Sequence, residues 1–541
     1  MPVKVSARAA QDENPALAPT PANTYDQVPY RSFPFRQTHP NRLAVIATLH
    51  GMAPAPIDRA RILELGCASG GNLIPMAEQL PGATCLGIDG SQRQIDAGRQ
   101  FLTRAGLKNV ELRCQNILDF DGDAGSFDYV LCHGVYSWVP DEVQRRILEI
   151  CGRCLSPQGV AYVSYNTYPG WRMRGMIRDI MRYRAQFFSN PSQQLTQARS
   201  LLRFLSESVK AENNAYGILL KSELESILSA DDSYLFHEHL EETNEPLYFH
   251  QFYQRAETHG LQYLGEADYA SMSLDNFPDH IRSMLQTVSR DLVEIEQYMD
   301  FLRNRTFRQT LLCRRDIPLD RTTQGRRLLN LQLASNSAPE AVPDAPDDGR
   351  TAFRRGSSVM TTSDPVVRAA MTMLHANWPR PIPFLELAAA ARSHGADRMA
   401  AIQVDTMSPA TLQLADTLLR CHATAQVDLH FQMPEFVMEV SERPRASVVA
   451  RLQAEDGSQV TDRTHGTMTL DDFHRQTLML LDGEHDRARL LDKLSEGVRK
   501  GTLLISRDGQ RVTDSQAVSG IISEWLDKAL AGFARMALLV G

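Results

Sequence analysis

Ala60–Leu73 reads ARILELGCASGGNL, and its reading decides the fold. An apolar run (Ile62, Leu63, Leu65) meets a loop of small residues, which opens directly into a helical stretch, NLIPMAEQL. A strand, a glycine turn and a helix start in that order make a nucleotide site: the first turn offers unpaired N–H groups and positive dipole, and glycine admits a ligand to the backbone. A dinucleotide fold would continue G-x-G-x-x-G, with a second glycine two residues on to receive a pyrophosphate. Here Gly66 is followed by Cys67, Ala68 and Ser69 before Gly70, and an acid, Glu64, stands two residues ahead of Gly66.

That E-x-G-x-x-x-G loop suits a ligand without phosphate. S-adenosylmethionine carries an amino-acid zwitterion, a sulfonium and a ribose, and an acid before the turn can anchor its amino-acid end. The next apolar run, ATCLGID, ends in Asp89, about twenty residues after the loop, where such folds place the carboxylate that takes the ribose hydroxyls. On these residues the chain resembles the class I S-adenosylmethionine-dependent methyltransferases. The donor contacts expected on that reading are Glu64, Gly66, Cys67, Ala68, Ser69, Gly70, Asn72, Asp89, Gly90 and Ser91. Asn116 and Ile117, after the third strand, are placed at the adenine, and Cys132 and His133, after the fourth, under the methionine part.

Strands alternate with helices from Ile62 to Asn166: SQRQIDAGRQFLTRAG, NVELRCQNI, FDYVLCHG, DEVQRRILEICGRCL and GVAYVSYN continue the pattern. The expected architecture is α/β, a doubly wound, mostly parallel sheet with ligands at the carboxyl ends of its strands. Two further strands, LQYLGEAD and TFRQTLLC, come only after a helical insertion over about 171–247, with one long helix, PDHIRSMLQTVSRDLVEIEQYMDFLRN, between them. The resemblance implies seven strands, the last antiparallel. The expected division is a leader over 1–24, a methyltransferase domain over 25–315, a linker over 316–350 rich in proline, alanine and aspartate toward its end, and a mainly helical region over 351–541. Within the last, LDDFHRQTLMLLDGEHDRARLLDKLSEG suggests a winged-helix core over about 445–500, and ASVVARLQAED a strand.

At 541 residues the chain has room for three or four domains of about 150 residues. The net charge of −8 does not suggest a nucleic-acid surface, and no run of about 18 apolar residues suggests insertion in a membrane. The first residues lack the apolar core of a signal peptide. Eight scattered cysteines fit a reducing cytoplasm better than a disulfide framework; Cys151 and Cys154 form a C-x-x-C without a second pair and read as buried small side chains.

The resemblance narrows over about Tyr25–Cys313. YDQVPYRSFPFRQTHP, HGVYSWVP, SYNTYPGW, FHEHLEETNEPLYFHQF and EQYMDFLRNRTFRQTLLC look like bacterial methyltransferases with a methyltransferase regulatory domain, here about 216–300. That group includes rickettsial protein-lysine methyltransferases acting on an outer-membrane protein, so the resemblance implies a protein substrate with an exposed lysine. Self-association through the insertion is a further expectation.

Methyl transfer is an in-line attack that needs positioning and exclusion of water. A lysine acceptor must first lose a proton, which at pH 7 costs about 4–5 kcal/mol from a pKa of about 10.4 unless a dry, aromatic site lowers it. Tyr136 and Trp138 after the fourth strand, and Tyr165 and Asn166 at the end of the fifth, are the candidate catalytic residues. His133 joins them, either as a proton acceptor or through its main chain. The aromatic segment before Asn41 reads equally as a lid, with Tyr30, Phe35 and His39 inward, or as outer packing. No [DN]-P-P-[YF] motif follows the fourth strand, which counts against amide and nucleobase acceptors. His237 and His239 flank Glu238 but diverge on a helix, so no metal is expected; Glu238, Glu241 and Asn244 are placed at the rim of the acceptor cleft. A small-molecule methyltransferase and a non-catalytic donor-sensing module are the alternatives.

Overall fold

Side chains along the central strands alternate between two apolar layers. Strand β1 (Arg61–Leu65) sends Ile62 to one face and Leu63 and Leu65 to the other; β4 (Phe127–Cys132) does the same with Tyr129 and Leu131 against Val130 and Cys132. Both faces are therefore covered, as a parallel sheet requires. The computed structural model describes residues 28, 32–123, 125–322, 324–340, 350–393, 405, 406, 408–433, 435–507, 510, 511 and 514–541. The expected leader and Tyr30 lie outside the described residues.

With β2 (Thr84–Asp89), β3 (Val110–Cys114), β5 (Leu155–Asn166), β6 (Leu261–Glu266) and β7 (Phe307–Arg314), the sheet has seven strands in the order β3-β2-β1-β4-β5-β7-β6. β7 runs antiparallel to both neighbours, and the other pairings are parallel. Strand order reverses between β1 and β4, so a crevice opens at their carboxyl ends. Helices α1 (Pro40–Leu49), α2 (Leu73–Gln79), α3 (Gln92–Ala105) and α4 (Asp141–Cys154) cover the faces. Helix α3 begins where the Ser91 hydroxyl accepts the Gln94 N–H and stops at Gly106, whose φ of 69° suits a left-handed cap. Cys151 and Cys154 are buried in the layer beneath α4.

The insertion holds helices α5 (Trp171–Ala185), α6 (Pro191–Ser208) and α7 (Ala215–Ser229) around a core of their own that includes Ile177, Met181, Leu202 and Leu220. Helix α8 (Phe249–Thr258) then leads into β6. The single long helix expected before β7 is two, α9 (Asp279–Val288) and α10 (Leu292–Arg303). The Asp291 side chain accepts the Glu294 N–H and starts a new helix, a capping bond that outweighs continuous apolar spacing.

Two expectations for the carboxyl-terminal half need correcting. The stretch 316–350 is not a bare linker: β8 (Gln332–Ala334) and β9 (Ala338–Glu340) lie within it. Its serines are buried because the Ser335 and Ser337 hydroxyls both donate to the Gln426 carbonyl, so polar composition there does not mean exposure. Strands β10 (Thr351–Arg355), β11 (Ser358–Thr362), β12 (Ile382–Pro383) and β13 (Asp428–His430) complete two small sheets beside α11 (Pro365–Asn377), α12 (Phe384–Arg392) and α13 (Pro409–Ala423). The stretch read as a strand, ASVVARLQAED, is helix α14 (Val448–Asp456): Ser447 caps it, and Val449, Ala450 and Ala454 are buried at helical spacing. A hairpin of β14 (Gln459–Thr461) and β15 (Thr467–Thr469) follows, then α15 (Asp472–Met479), α16 (Arg487–Lys500) and α17 (Ser515–Arg535). This last core draws on Leu478, Leu494, Ile522 and Phe533, so it continues beyond residue 500. No described helix is long and apolar enough to cross a membrane.

The returning strands are tied by charge. Arg308 on β7 is fully buried and donates to Glu266 at 2.7 Å, Asp300 at 2.9 Å and Glu296 at 3.0 Å, joining β6, β7 and α10. Burial raises the carboxyls of Glu296 and Asp300 above their ordinary range even so. Arg308→Met leaves three buried acids without their guanidinium, a loss of about 3–5 kcal/mol. Without the cation the folded state holds their protons to higher pH than the unfolded chain does, so the deficit grows as pH rises. Thermal scans of the variant should show a melting temperature below wild type, by more at pH 8 than at pH 5.

Candidate active site

The turn after β1 requires glycine. Gly66 has φ +74°, and a Cβ there would stand 2.4 Å from the Val135 side chain; a Cβ on Gly71 would meet the Ser32 carbonyl oxygen at 2.3 Å. The turn and the carboxyl ends of β1, β2 and β4 open on a cavity of about 630 Å³. Of the expected donor contacts, Glu64, Gly66, Cys67, Ala68, Asn72, Asp89, Gly90, Asn116, Ile117 and His133 line it.

Asp89 is pinned on both sides, Oδ2 accepting from the Ala68 N–H and Oδ1 from the Ser91 N–H, each at 2.8 Å. Loop and carboxylate are thereby held together at the mouth of β2. Glu64 is buried, with Oε1 accepting from Asn72 Nδ2 at 2.7 Å and Oε2 without a hydrogen-bond partner among the described residues. Burial raises its carboxyl to about 8. A dry acid with an open oxygen at the wall of a cavity fits the ammonium of an amino-acid ligand, which would supply the missing charge and bring the pKa down. Asp89 fits a ribose and Asn116 with Ile117 an adenine, so the residues present fit S-adenosylmethionine.

Four expected donor contacts do not line the cavity. Ser69 and Gly70 turn away; a Cβ on Gly98 of α3 would stand 2.6 Å from the Ser69 carbonyl oxygen, so that loop segment packs on α3. Ser91 caps α3 and holds Asp89 through its N–H. Cys132 points into the core, its thiol pushed up to about 12 by burial.

The largest correction concerns Tyr136 and Tyr165. Both were expected at the reaction centre, and both lie in the layer beneath it. Tyr165 stacks on Phe252 with ring centroids 4.0 Å apart, and Tyr136 meets the same ring edge-on at 5.3 Å. Helix α8 supplies Phe252 from far along the chain, so the apolar partner that draws these rings inward was not visible near either tyrosine.

Trp138 and Asn166 do line the cavity. Trp138 meets Trp171 edge-on at 6.1 Å, and Asn166 Nδ2 donates to Asn244 Oδ1 at 3.0 Å, which fastens the end of β5 to the end of the insertion. His133 packs on Phe35 at 3.8 Å between centroids, with Nδ1 2.8 Å from the Tyr162 hydroxyl. Burial lowers His133 to about 3, so it is a poor proton acceptor at neutral pH. Phe35 therefore covers the cavity as the lid reading expected, whereas His39 is buried elsewhere, beside His465.

The insertion contributes Trp171, Arg174, Tyr234, His237 and Glu238 to the wall. Glu238 lies 3.6 Å from Arg174, and burial raises its carboxyl to about 7 against the pull of Arg174 and Arg178. Glu241 is not a free rim acid: its Oε1 is 2.7 Å from His237 Nδ1, while His237 Nε2 donates to the Val28 carbonyl. Gln94, Val135 and Phe307 also line the cavity and were missed. Gln94 had a local signal, one turn into the helix after Asp89; Phe307 had none, since it arrives on the antiparallel strand.

Comparison with known proteins agrees with this geometry. Residues 62–159 match a methyltransferase domain, 231–314 a predicted methyltransferase regulatory domain, and 442–538 the PKMT C-terminal winged helix domain. A protein of Rickettsia prowazekii named uncharacterized protein RP789 is 34% identical over 528 residues, 96% of this chain and 94% of that protein. The structure of PKMT2 from Rickettsia typhi in complex with AdoHcy is similar with a TM-score of 0.83 and 32% identity, over 95% of this chain and 100% of that one. With this identity over nearly the whole of both chains, the chain belongs to this family of S-adenosylmethionine-dependent methyltransferases.

Proposed function

We propose that the methyl acceptor is a lysine side chain of a protein. The observation that carries this is the second half of the cavity: beyond the donor residues, its wall includes Trp138, Trp171 and the half-buried Glu238, beside Arg174 and Tyr234. An aromatic slot ending in an acid suits a long apolar stem with an amine at its tip. The similarity to PKMT2 supports the same reading.

When bound, the donor supplies an electrophilic methyl on a sulfonium, held by Glu64 at its ammonium and Asp89 at its ribose. Glu238 attracts the lysine ammonium, and with a carboxyl at about 7 it can take the proton that the amine must lose. The indole rings of Trp138 and Trp171 exclude water from the amine, which lowers its pKa against the pull of the Glu238 carboxylate, and aromatic faces favour the sulfonium charge nearby. Asn166, fastened by Asn244, holds the edge of the slot. His133 stays neutral and serves as a wall. A cytoplasmic location is part of the proposal, supported by eight cysteines that form no disulfide. Tyr183, Phe187 and Phe204 are 68%, 63% and 62% exposed on the insertion, which supports self-association through that face.

Incubation with a deuterated-methyl donor and a cell protein extract tests the acceptor: mass spectrometry should find the label on lysines, and label confined to small molecules would refute the proposal. Asp89→Ala should weaken AdoHcy by about 10–100-fold in calorimetry, through loss of hydrogen bonds to a charged group. Glu238→Gln should raise KM for the protein acceptor while AdoHcy affinity stays within about twofold of wild type, the scatter of a site that does not touch the donor. For wild type, kcat/KM should rise as Glu238 ionises around pH 7, and the variant should lose that limb.

A further inference from the structure

We infer that His465, on the carboxyl-terminal hairpin, is a positioning residue of the donor site, acting on Glu64 through Asn72. The tip of the β14–β15 hairpin reaches back to the start of α2, behind the glycine turn. There His465 Nε2 lies 2.9 Å from Asn72 Oδ1, and Asn72 Nδ2 donates to Glu64 Oε1 at 2.7 Å. Asn72 and Glu64 line the cavity, whereas His465 stands one side chain behind them.

The polarity of this chain follows from the partners. Both hydrogens of the Asn72 amide nitrogen are committed, to Glu64 and to the Thr38 hydroxyl at 3.0 Å. Its oxygen must therefore face the ring, and it also accepts the Phe35 N–H at 2.9 Å. His465 Nε2, at 2.9 Å from that oxygen, donates when it carries the ring hydrogen, for which Nδ1 at 3.2 Å from Gln79 Oε1 is the competing position, and the amide passes the polarity on, presenting N–H to the Glu64 carboxyl. Without the ring the amide is held by Phe35 and Thr38 alone, and the Glu64 oxygen left open for the donor ammonium is aimed less firmly.

The hairpin tip is built for the task. His465 is buried and adopts φ +63°, a region that a non-glycine residue enters at some cost. Asp462 Oδ1 accepts from the N–H groups of Thr464 at 2.7 Å and Gly466 at 2.9 Å, locking the turn. Gln79, at the end of α2, donates from Nε2 to the Asp462 carbonyl at 2.9 Å, so the helix that follows the glycine turn grips the same tip. The donor site is thus completed from the opposite end of the chain, and by linkage donor and hairpin must stabilise each other.

The inference rests on the donor reading of the cavity, and wild-type binding of AdoHcy is the control that separates the two. In calorimetry on the full chain, His465→Ala should weaken AdoHcy about tenfold, with KM for S-adenosylmethionine rising more than kcat falls. His465→Gln keeps an N–H able to reach Asn72 and should recover most of the affinity. Equal losses in both variants would make the ring a packing element, and unchanged affinity in a folded His465→Ala would remove the role; either overturns the inference. Hydrogen exchange on wild type needs no variant: AdoHcy should slow amide exchange across 460–468, which it does not touch, and unchanged exchange there would also overturn it.

Discussion

A carboxylate kept out of water without a counter-ion is the constraint around which this structure is arranged. Glu64 sits at the end of a central strand, satisfied on one oxygen and open on the other, with its carboxyl raised to about 8. A protein that buried such a group to no purpose would gain from replacing it with an apolar side chain. Its persistence makes sense where a ligand brings the cation. Asn72 holds the filled oxygen, the glycine turn leaves room beside the other, and Asp89 is fixed to the same turn through the Ala68 N–H.

Elements remote in the chain complete the site for a topological reason. The fifth strand is followed by the helical insertion rather than by the sixth, and the last strand returns between the two. That return brings Phe307 to the cavity and Arg308 to three acids in the core, so the same strand closes the wall and anchors the sheet. The insertion, fastened at Asn166–Asn244, then supplies the far wall of the cavity. On the proposed reading, donor chemistry belongs to the first half of the sheet and acceptor chemistry to what is inserted into the second.

Local signals were read well and non-local ones poorly. The E-x-G-x-x-x-G spacing, Asp89 and the strand ends lead to residues that line the cavity because each depends on a strand, a turn and a helix contiguous in sequence. Tyr136 and Tyr165 were misplaced because nearness to a strand end does not say which face a ring takes; Phe252, on α8, decides that. At ASVVARLQAED, where a strand is expected, the Ser447 cap and buried positions four apart make a helix. The linker reading failed where serines found a carbonyl to donate to.

The contrast between the two acids in the cavity bears on the chemistry. Glu64 and Glu238 are both raised by burial, to about 8 and about 7, but their surroundings differ. Glu64 has an amide for a partner and no cation, which suits a ligand ammonium that binds and stays through the reaction. Glu238 has Arg174 and Arg178 close by, which keep it near neutral pH rather than above it. An acid at that value can exchange a proton with an amine at each turnover, whereas an acid fixed in an ion pair with the donor cannot. On the proposed reading the two tasks fall to two carboxyl groups on separate elements, one gripping a charge and one passing a proton.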